Sequence, residues 1–244
     1  MKKKITALML VAVLALTAIG GTLAYFTDTD AAVNVMTIGN VDIKQHEEER
    51  DTVNGGLKDF TQNQKLFPAV YEKLEKDGKI AFPNGENVAL WDKSINNELD
   101  KIVSVTNVGS EDAYVRTILA FETQRHYKEG SSTEFTDLHD IYFGVNGDFD
   151  YLNEYITIDG VEYVLAVKVY EDALAKDERS APSLKQIFLA PTANNETTQW
   201  FGNEYNILAL SQAVQAEGFD NAEAALNTAF GEVTAENAQA WFNK

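Results

Sequence analysis

The 244-residue chain contains no cysteine and only three histidines, His46, His126 and His139. Without cysteine it cannot form a disulfide, a thiolate nucleophile or a cysteine-bound zinc or iron–sulfur site. Positive charge is also scarce, since 20 Lys and Arg residues stand against 38 Asp and Glu residues, which gives a net charge of −18. Nucleic acids and anionic membranes both select clustered Lys and Arg. The composition therefore argues against both kinds of partner.

The sequence patterns of several familiar reaction centres are missing as well. There is no His-Glu-x-x-His zinc motif, because Arg50 stands where a second ligand after His46 would fall. There is also no Gly-x-Ser-x-Gly nucleophile turn and no glycine-rich phosphate loop. We predict that the chain is not an enzyme and that its histidines are solvated at the surface. A zinc site assembled from distant residues remains the alternative.

The amino terminus has the three parts of an export signal. Lys2, Lys3 and Lys4 precede an apolar run over residues 5–19, and a Gly-Gly pair follows it. Thr22 and Ala24 are then the small residues before a cut between Ala24 and Tyr25. We predict that residues 1–24 are a signal peptide and that the protein is secreted. An uncleaved membrane anchor is the alternative, because the apolar stretch approaches the roughly 18 residues that can span a bilayer.

Alternation of apolar and polar residues dominates the rest of the chain and predicts β-strands. Over 161–170 the odd positions are apolar, and Asp159-Gly160 before them is typical of a two-residue hairpin turn. Asn146-Gly147 predicts a second hairpin between 141–145 and 148–151. Further strands are predicted at 32–43, 101–107, 113–122, 184–190 and 205–216. These strands favour a mainly β fold, a jelly-roll-like antiparallel β-sandwich.

Two segments depart from the strand pattern. Residues 44–100 are polar, contain the acidic run 47–49 and carry a predicted helix at 69–76, so we interpret them as a partly helical insertion. From Asp220 the chain is predicted to be helical, with Glu223 in a capping arrangement, Gly231 as the stop and Thr234 starting a second helix. We therefore predict one β-sandwich domain over 25–219, with a helical tail at 220–244 packed on it.

Within the predicted strand 113–122, Arg116 points away from Val115 and Leu119 if the strand is regular. In such an acidic protein an exposed arginine finds a carboxylate easily. We expect Arg116 to form an ion pair at the surface or at a sheet edge.

One group of oxygen-bearing side chains has the spacing of a cation site. Asn146, Asp148 and Asp150 alternate along the chain, and Glu154 follows. Oxygen ligands spaced in this way can bind calcium, although the glycine of an EF-hand loop is missing. The same residues are also common in solvated turns. We therefore expect an ordinary solvated turn and no cofactor, with calcium binding by these four residues as the alternative.

Three stretches resemble a known family. They are Gly-Gly-Thr-Leu-Ala-Tyr-Phe-Thr-Asp at 20–28 with Asn-x-Met-x-x-Gly-Asn-Val-Asp-Ile at 34–43, the strand–turn–strand stretch at 101–116, and Gln-Ala-Val-Gln-Ala-Glu-Gly-Phe-Asp at 212–220. They resemble the exported proteins of Gram-positive bacteria that a SipW-type signal peptidase processes, the TasA/camelysin-like family of biofilm-matrix and surface proteins.

This resemblance implies a jelly-roll sandwich at the cell surface or in the extracellular matrix, with the SipW-type peptidase as its partner during export. For fibre-forming members it also implies self-association by donor-strand exchange, in which the freed amino terminus joins the sheet of another copy. The donor segment here starts at Tyr25 and Phe26 and includes Ala31 and Val33. We expect no membrane contact after cleavage.

Some camelysin-like proteins are described as metalloproteases. Because this chain shows no zinc-ligand pattern, we expect a non-enzymatic matrix or surface protein. A camelysin-type secreted metallo-endopeptidase and a monomeric adhesion module are the alternatives, since a β-sandwich does not fix function.

Overall fold

A computed structural model of the chain describes residues 22–25, 34–51, 53–61, 79–81, 87–89, 98–189, 200–201 and 205–243. Strands are numbered in chain order. Sheet I contains β1 (Thr22–Tyr25), β2 (Asn34–Ile38), β8 (Ala113–Thr123), β12 (Asp150–Ile158), β13 (Val161–Val169) and β15 (Asn206–Gln215). Its order is β1–β15–β8–β13–β12, and β2 also pairs with β15. All its pairings are antiparallel except that of β2 with β15.

Sheet II contains β3 (Ile43–Arg50), β4 (Leu57–Asp59), β7 (Glu98–Asn107), β11 (Phe143–Gly147) and β14 (Leu184–Leu189). It is antiparallel and has the order β11–β14–β7–β3–β4. Two short pairs stand apart, β5 (Lys79–Ala81) with β6 (Asn87–Ala89) and β9 (Arg125–Tyr127) with β10 (Phe135–Asp137). The helices are α1 (Leu138–Tyr142), α2 (Ala222–Phe230) and α3 (Ala235–Phe242).

The two sheets pack face to face and form the predicted β-sandwich. Leu119 and Phe121 of β8 meet Val103 of β7 and Ile187 of β14 in the core between the sheets, and none of the four is exposed to solvent. Burying such a side chain contributes about 1.5–3 kcal/mol relative to leaving it in water. The prediction of a mainly β, antiparallel sandwich is confirmed.

The carboxy-terminal helices cover the outer face of sheet I, as the predicted helical tail implies. Trp241 and Ala238 of α3 pack with Leu165 of β13 and Ile118 of β8. The odd-numbered apolar face of β13 thus contacts the helices, while Val164 points into the core between the sheets. Sheet I is therefore covered on both faces, which explains why β8 and β15 are buried almost throughout.

Arg116 of β8 lies between sheet I and this helical layer, so the expectation of a surface ion pair was wrong. It is 2% exposed, and its guanidinium donates to Gln212 Oε1 (2.7 Å), Asn227 Oδ1 (2.9 Å) and the Gly231 carbonyl (2.8 Å). All three acceptors are uncharged. Burial lowers the pKa of Arg116 to about 10, which still leaves it charged at neutral pH. The residue is buried because the tail covers this face.

Two predicted connections differ in the structure. The predicted strand at 32–43 is broken at Gly39, whose φ of +94° suits glycine, and its two parts enter different sheets. Asn146-Gly147 does not form a hairpin, because β11 pairs with β14 in sheet II while β12 pairs with β13 in sheet I. By contrast, Asp159-Gly160 forms the predicted hairpin with positive φ at both residues.

The acidic run 47–49 lies in β3 and not in a loop, because each carboxylate meets a cation. Glu47 contacts Lys101, Glu48 contacts Arg179, and Glu49 Oε1 lies 2.8 Å from Lys58 Nζ. The first residues of the predicted insertion thus continue sheet II. The helix predicted at 69–76 falls outside the described residues.

The predicted start of the tail is shifted by one residue. The amino-terminal cap of α2 is Asn221, whose side chain accepts from the Ala224 amide, and not Asp220. Gly231 ends α2 and Thr234 caps α3, as predicted. Within the described part of the chain, no helix has the length and apolar character needed to cross a membrane.

Candidate functional site

The outer edge of β15 is the part of the fold that two separate amino-terminal strands cover. β1 runs antiparallel to its first half, with Thr22 opposite Ala209 and Tyr25 opposite Asn206. β2 runs parallel to its second half, from Asn34 opposite Leu210 to Ile38 opposite Val214. The edge of sheet I is therefore completed by short segments from the start of the chain.

The predicted cleavage site lies within this edge. Thr22, Ala24 and Tyr25 all belong to β1, so the bond between Ala24 and Tyr25 is part of the strand that pairs with β15. Of the predicted donor segment, Tyr25 is the last residue of β1. Phe26, Ala31 and Val33 lie outside the described residues.

A buried polar pair marks the end of this edge. The side chain of Glu122, in β8, accepts from the backbone N of Asn206 (2.8 Å) and from its Nδ2 (2.7 Å). Asn206 is 6% exposed, and its Oδ1 has no hydrogen-bond partner among the described residues. A buried carbonyl oxygen without a donor is unfavourable by about 1–3 kcal/mol. The oxygen is thus an acceptor that the strands now on the edge do not use.

Sequence reasoning did not single out Glu122 or Asn206. Both were included in predicted strands at positions that a simple alternation leaves polar. The only available indication was an asparagine directly before the apolar stretch 207–210. Their contact could not be predicted, because it depends on how β8 and β15 pair.

Three of the four residues considered for calcium have separate hydrogen-bond partners. Asn146 Nδ2 donates to Gln186 Oε1 (3.2 Å), Asp148 Oδ2 accepts from Lys168 Nζ (2.6 Å), and Glu154 Oε2 accepts from the backbone N of Ala235 (3.0 Å). Asp150 is exposed at the start of β12. The structure does not bring them together as one set of ligands.

Asp148 and Asp150 instead line an open cleft between sheet I and the start of α2. The cleft has a volume of about 620 Å³, with Leu152 and Val167 among its apolar residues and Glu171 and Glu223 among its acidic ones. Its carboxylates are exposed, and Asp148 is paired with Lys168. We assign no ligand to it.

His139 is buried, so the prediction of solvated histidines was wrong for this residue. It is 1% exposed in α1, with Nδ1 2.5 Å from the Tyr205 hydroxyl and Nε2 2.9 Å from the Tyr151 hydroxyl. Its ring stacks on Phe121. Burial lowers its pKa to about 3, so the imidazole is neutral at neutral pH.

The other two histidines lie elsewhere. His46, on β3, is half-buried, and its Nε2 is 2.9 Å from Thr106 Oγ1. Burial, and next the charge of Arg179, lower its pKa to about 4. His126 on β9 is exposed beside the ring of Trp200. Among the residues that the structure describes, no three His, Asp or Glu side chains form a group that could hold a metal ion.

Comparison with known proteins finds a similarity in the part of the chain that forms the edge. Residues 1–55 match the family model of the camelysin metallo-endopeptidases. The match spans the predicted signal peptide and β1 to β3, and ends in the turn after β3. No curated protein and no solved structure matches the chain. Over its first 55 residues, which include both strands on the outer edge of β15, the chain is similar to the camelysin metallo-endopeptidase family.

Proposed function

We propose that the protein is a secreted, non-enzymatic surface or biofilm-matrix protein of a Gram-positive bacterium that assembles with copies of itself by donor-strand exchange. A SipW-type signal peptidase would cut the chain after Ala24 during export. The new amino terminus, which begins at Tyr25, would then pair with the edge of β15 in another copy. Strand addition of this kind satisfies the backbone N–H and C=O groups of an open edge.

The observation that carries this proposal is the position of the predicted cut. The Ala24–Tyr25 bond lies in β1, so cleavage there separates three of the four β1 residues from the rest of the chain. The register then leaves Ile207, Leu208 and Ala209 without the strand that paired with them. An unpaired edge at the end of an apolar sheet favours addition of a strand from another chain.

The test is assembly of the purified mature protein. Protein that begins at Tyr25 should form sedimentable filaments visible by electron microscopy, and protein that begins at Met36 should not. Ala31→Pro should also abolish filaments, because proline cannot donate the hydrogen bond that a sheet strand needs. Asp28→Asn is the matched control, since Asp28 is expected to face solvent in the donor strand. Monomeric protein from the Tyr25 form under all conditions would contradict the proposal.

A secreted metallo-endopeptidase is the second candidate, because the match over residues 1–55 is to a family of that name. The described residues do not fit a zinc site, since they contain no group of metal-binding side chains. Casein digestion by the mature protein, abolished by a chelator and restored by zinc, would establish this activity. Digestion that persists at constant rate through chelation would point to a contaminating protease instead.

A further inference from the structure

We propose that the end of the signal peptide acts as a temporary strand on the edge of β15 before processing. In the uncut chain this segment covers the edge of β15 to which a second copy binds after cleavage. This inference rests on the proposed function and concerns how the same site is regulated. It states that one peptide-bond cleavage both releases the donor strand and opens the acceptor edge.

The register shows how far the opening extends. Thr22, Leu23 and Ala24 pair with Ala209, Leu208 and Ile207, and all three of these pairings are lost when the leader leaves. β2 stays attached to the same chain and continues to cover the edge from Leu210 onward. Cleavage therefore opens a notch at 207–209, next to Asn206, and leaves the rest of β15 paired.

The opened notch belongs to a buried part of the sheet. Ile207 points into the core between the sheets, and Leu208 packs in the cluster beneath the carboxy-terminal helices. Neither is exposed while β1 is in place. Each backbone hydrogen bond lost there contributes about 0.5–1.5 kcal/mol to stability when it is made. An unpaired notch is thus unfavourable. A new strand that pairs there restores the backbone hydrogen bonds and stabilises the protein.

Asn206 gives an independent reason why the leader strand is a replaceable occupant. β1 ends opposite Asn206, and the Oδ1 atom of this buried side chain has no donor among the described residues. A strand from a second copy that continues past Asn206 can place a backbone N–H against this oxygen. The edge is therefore better satisfied by a longer strand than by the four residues of β1.

Hydrogen exchange of three states tests the inference. The states are the full chain in mild detergent, the mature protein at a concentration low enough to keep it monomeric, and the assembled mature protein. Amides in peptides covering 206–209 should exchange slowly in the full chain, about tenfold or more faster in the mature monomer, and slowly again after assembly. Peptides covering 116–121 in β8 serve as the internal control and should not change.

A disulfide then shows whether the leader itself supplies the protection. The natural chain has no cysteine, so paired substitutions report on this contact alone. Leu23→Cys with Leu208→Cys should form an intrachain disulfide in the uncut chain, because these residues are directly opposite. Leu23→Cys with Ile207→Cys is the control, since Ile207 points to the other face. If Leu208→Cys does not fold, Thr22→Cys with Ala209→Cys tests the same register.

The outcomes separate this inference from the proposed function. Equal exchange at 206–209 in the full chain and the mature monomer, or no disulfide in either matched pair, would overturn the capping role even if filaments form. Protection that persists in the mature monomer would overturn the opening, because the chain would then close its own edge. Loss of protection on cleavage without any assembly would instead refute the proposed polymer and the second copy as occupant.

Discussion

The guanidinium of Arg116 lies 5.3 Å from the centre of the Trp241 ring, so the middle of sheet I is joined directly to the last helix of the chain. The same side chain also donates to Asn227 and to the Gly231 carbonyl. One buried cation thus connects β8 with both α2 and α3. It does so without a carboxylate, through neutral acceptors and aromatic rings.

Arg116→Lys should therefore loosen the carboxy-terminal helices although it keeps the charge. A single ammonium group cannot reach three acceptors that lie in different directions, so we expect a loss of about 1–3 kcal/mol in the free energy of unfolding. Urea denaturation measures the loss, and hydrogen exchange of residues 222–242 should accelerate. Lys176→Met, at an exposed position, is the control. Unchanged exchange in the tail would refute this role of Arg116.

Replacing Asn206 should weaken filament assembly by more than the accompanying loss of folding stability explains. We expect Asn206→Ala to raise the protein concentration needed for filament growth, because the acceptor for the incoming strand is lost. Gln215→Ala removes an amide at the opposite end of β15 and is the matched control. Sedimentation at a series of concentrations gives the comparison, with urea denaturation of both variants to correct for stability. Equal critical concentrations for Asn206→Ala and Gln215→Ala would show that Asn206 takes no part in strand addition.

Removing one partner of the Glu47–Lys101 pair should destabilise the protein much more than replacing both partners with apolar residues. Lys101 is 1% exposed, and burial lowers the pKa of its ammonium group while Glu47 opposes that shift. Glu47→Gln should cost about 3–5 kcal/mol, because a buried cation loses its carboxylate partner. The double variant Glu47→Leu with Lys101→Met should recover most of that loss.

Disruption of an exposed pair provides the comparison for this prediction. Lys128 and Glu134 are both largely exposed, so Lys128→Met should change the free energy of unfolding by less than about 0.5 kcal/mol. Urea denaturation of all three variants decides the point. A Glu47→Gln effect as small as that of Lys128→Met would show that the buried pair is unimportant.

His139 should make the protein less stable as the solution becomes acidic. Its pKa is lowered from 6.5 to about 3 in the folded state, so between these values the unfolded chain binds a proton that the folded chain does not. The stabilisation is complete above pH 6.5 and is lost as the pH falls toward 3. Each pKa unit corresponds to about 1.4 kcal/mol.

His139→Gln removes this titration and should flatten the dependence of unfolding free energy on pH in that window. His126→Gln, at an exposed histidine, should leave the slope as it is in the natural protein. Urea denaturation at several values between neutral and pH 4 measures both slopes. A slope that is equally steep in His139→Gln would assign the acid sensitivity to other groups.

Local sequence patterns were sufficient where the structure depends on neighbours in the chain. Asp159-Gly160 connects two strands directly, so turn chemistry alone predicted that hairpin. Asn146-Gly147 has equally good turn residues, but the strands on its two sides do not pair with each other. β11 pairs with β14, which follows much later in the chain, and β12 pairs with β13 across the next turn. The turn residues carry no information about these partners.

The amino-acid sequence by itself determined the strand-rich fold, the helical tail and the likeness of the first residues to an export signal, because each depends on local periodicity and spacing. Only the tertiary structure decided that Arg116 is buried, that the acidic run 47–49 is neutralised, and that Ala24 and Tyr25 lie on the edge of β15 beside Asn206. Those relations join residues far apart in the chain. Their energies come from burial and pairing, which exist only once the sheets and helices have packed.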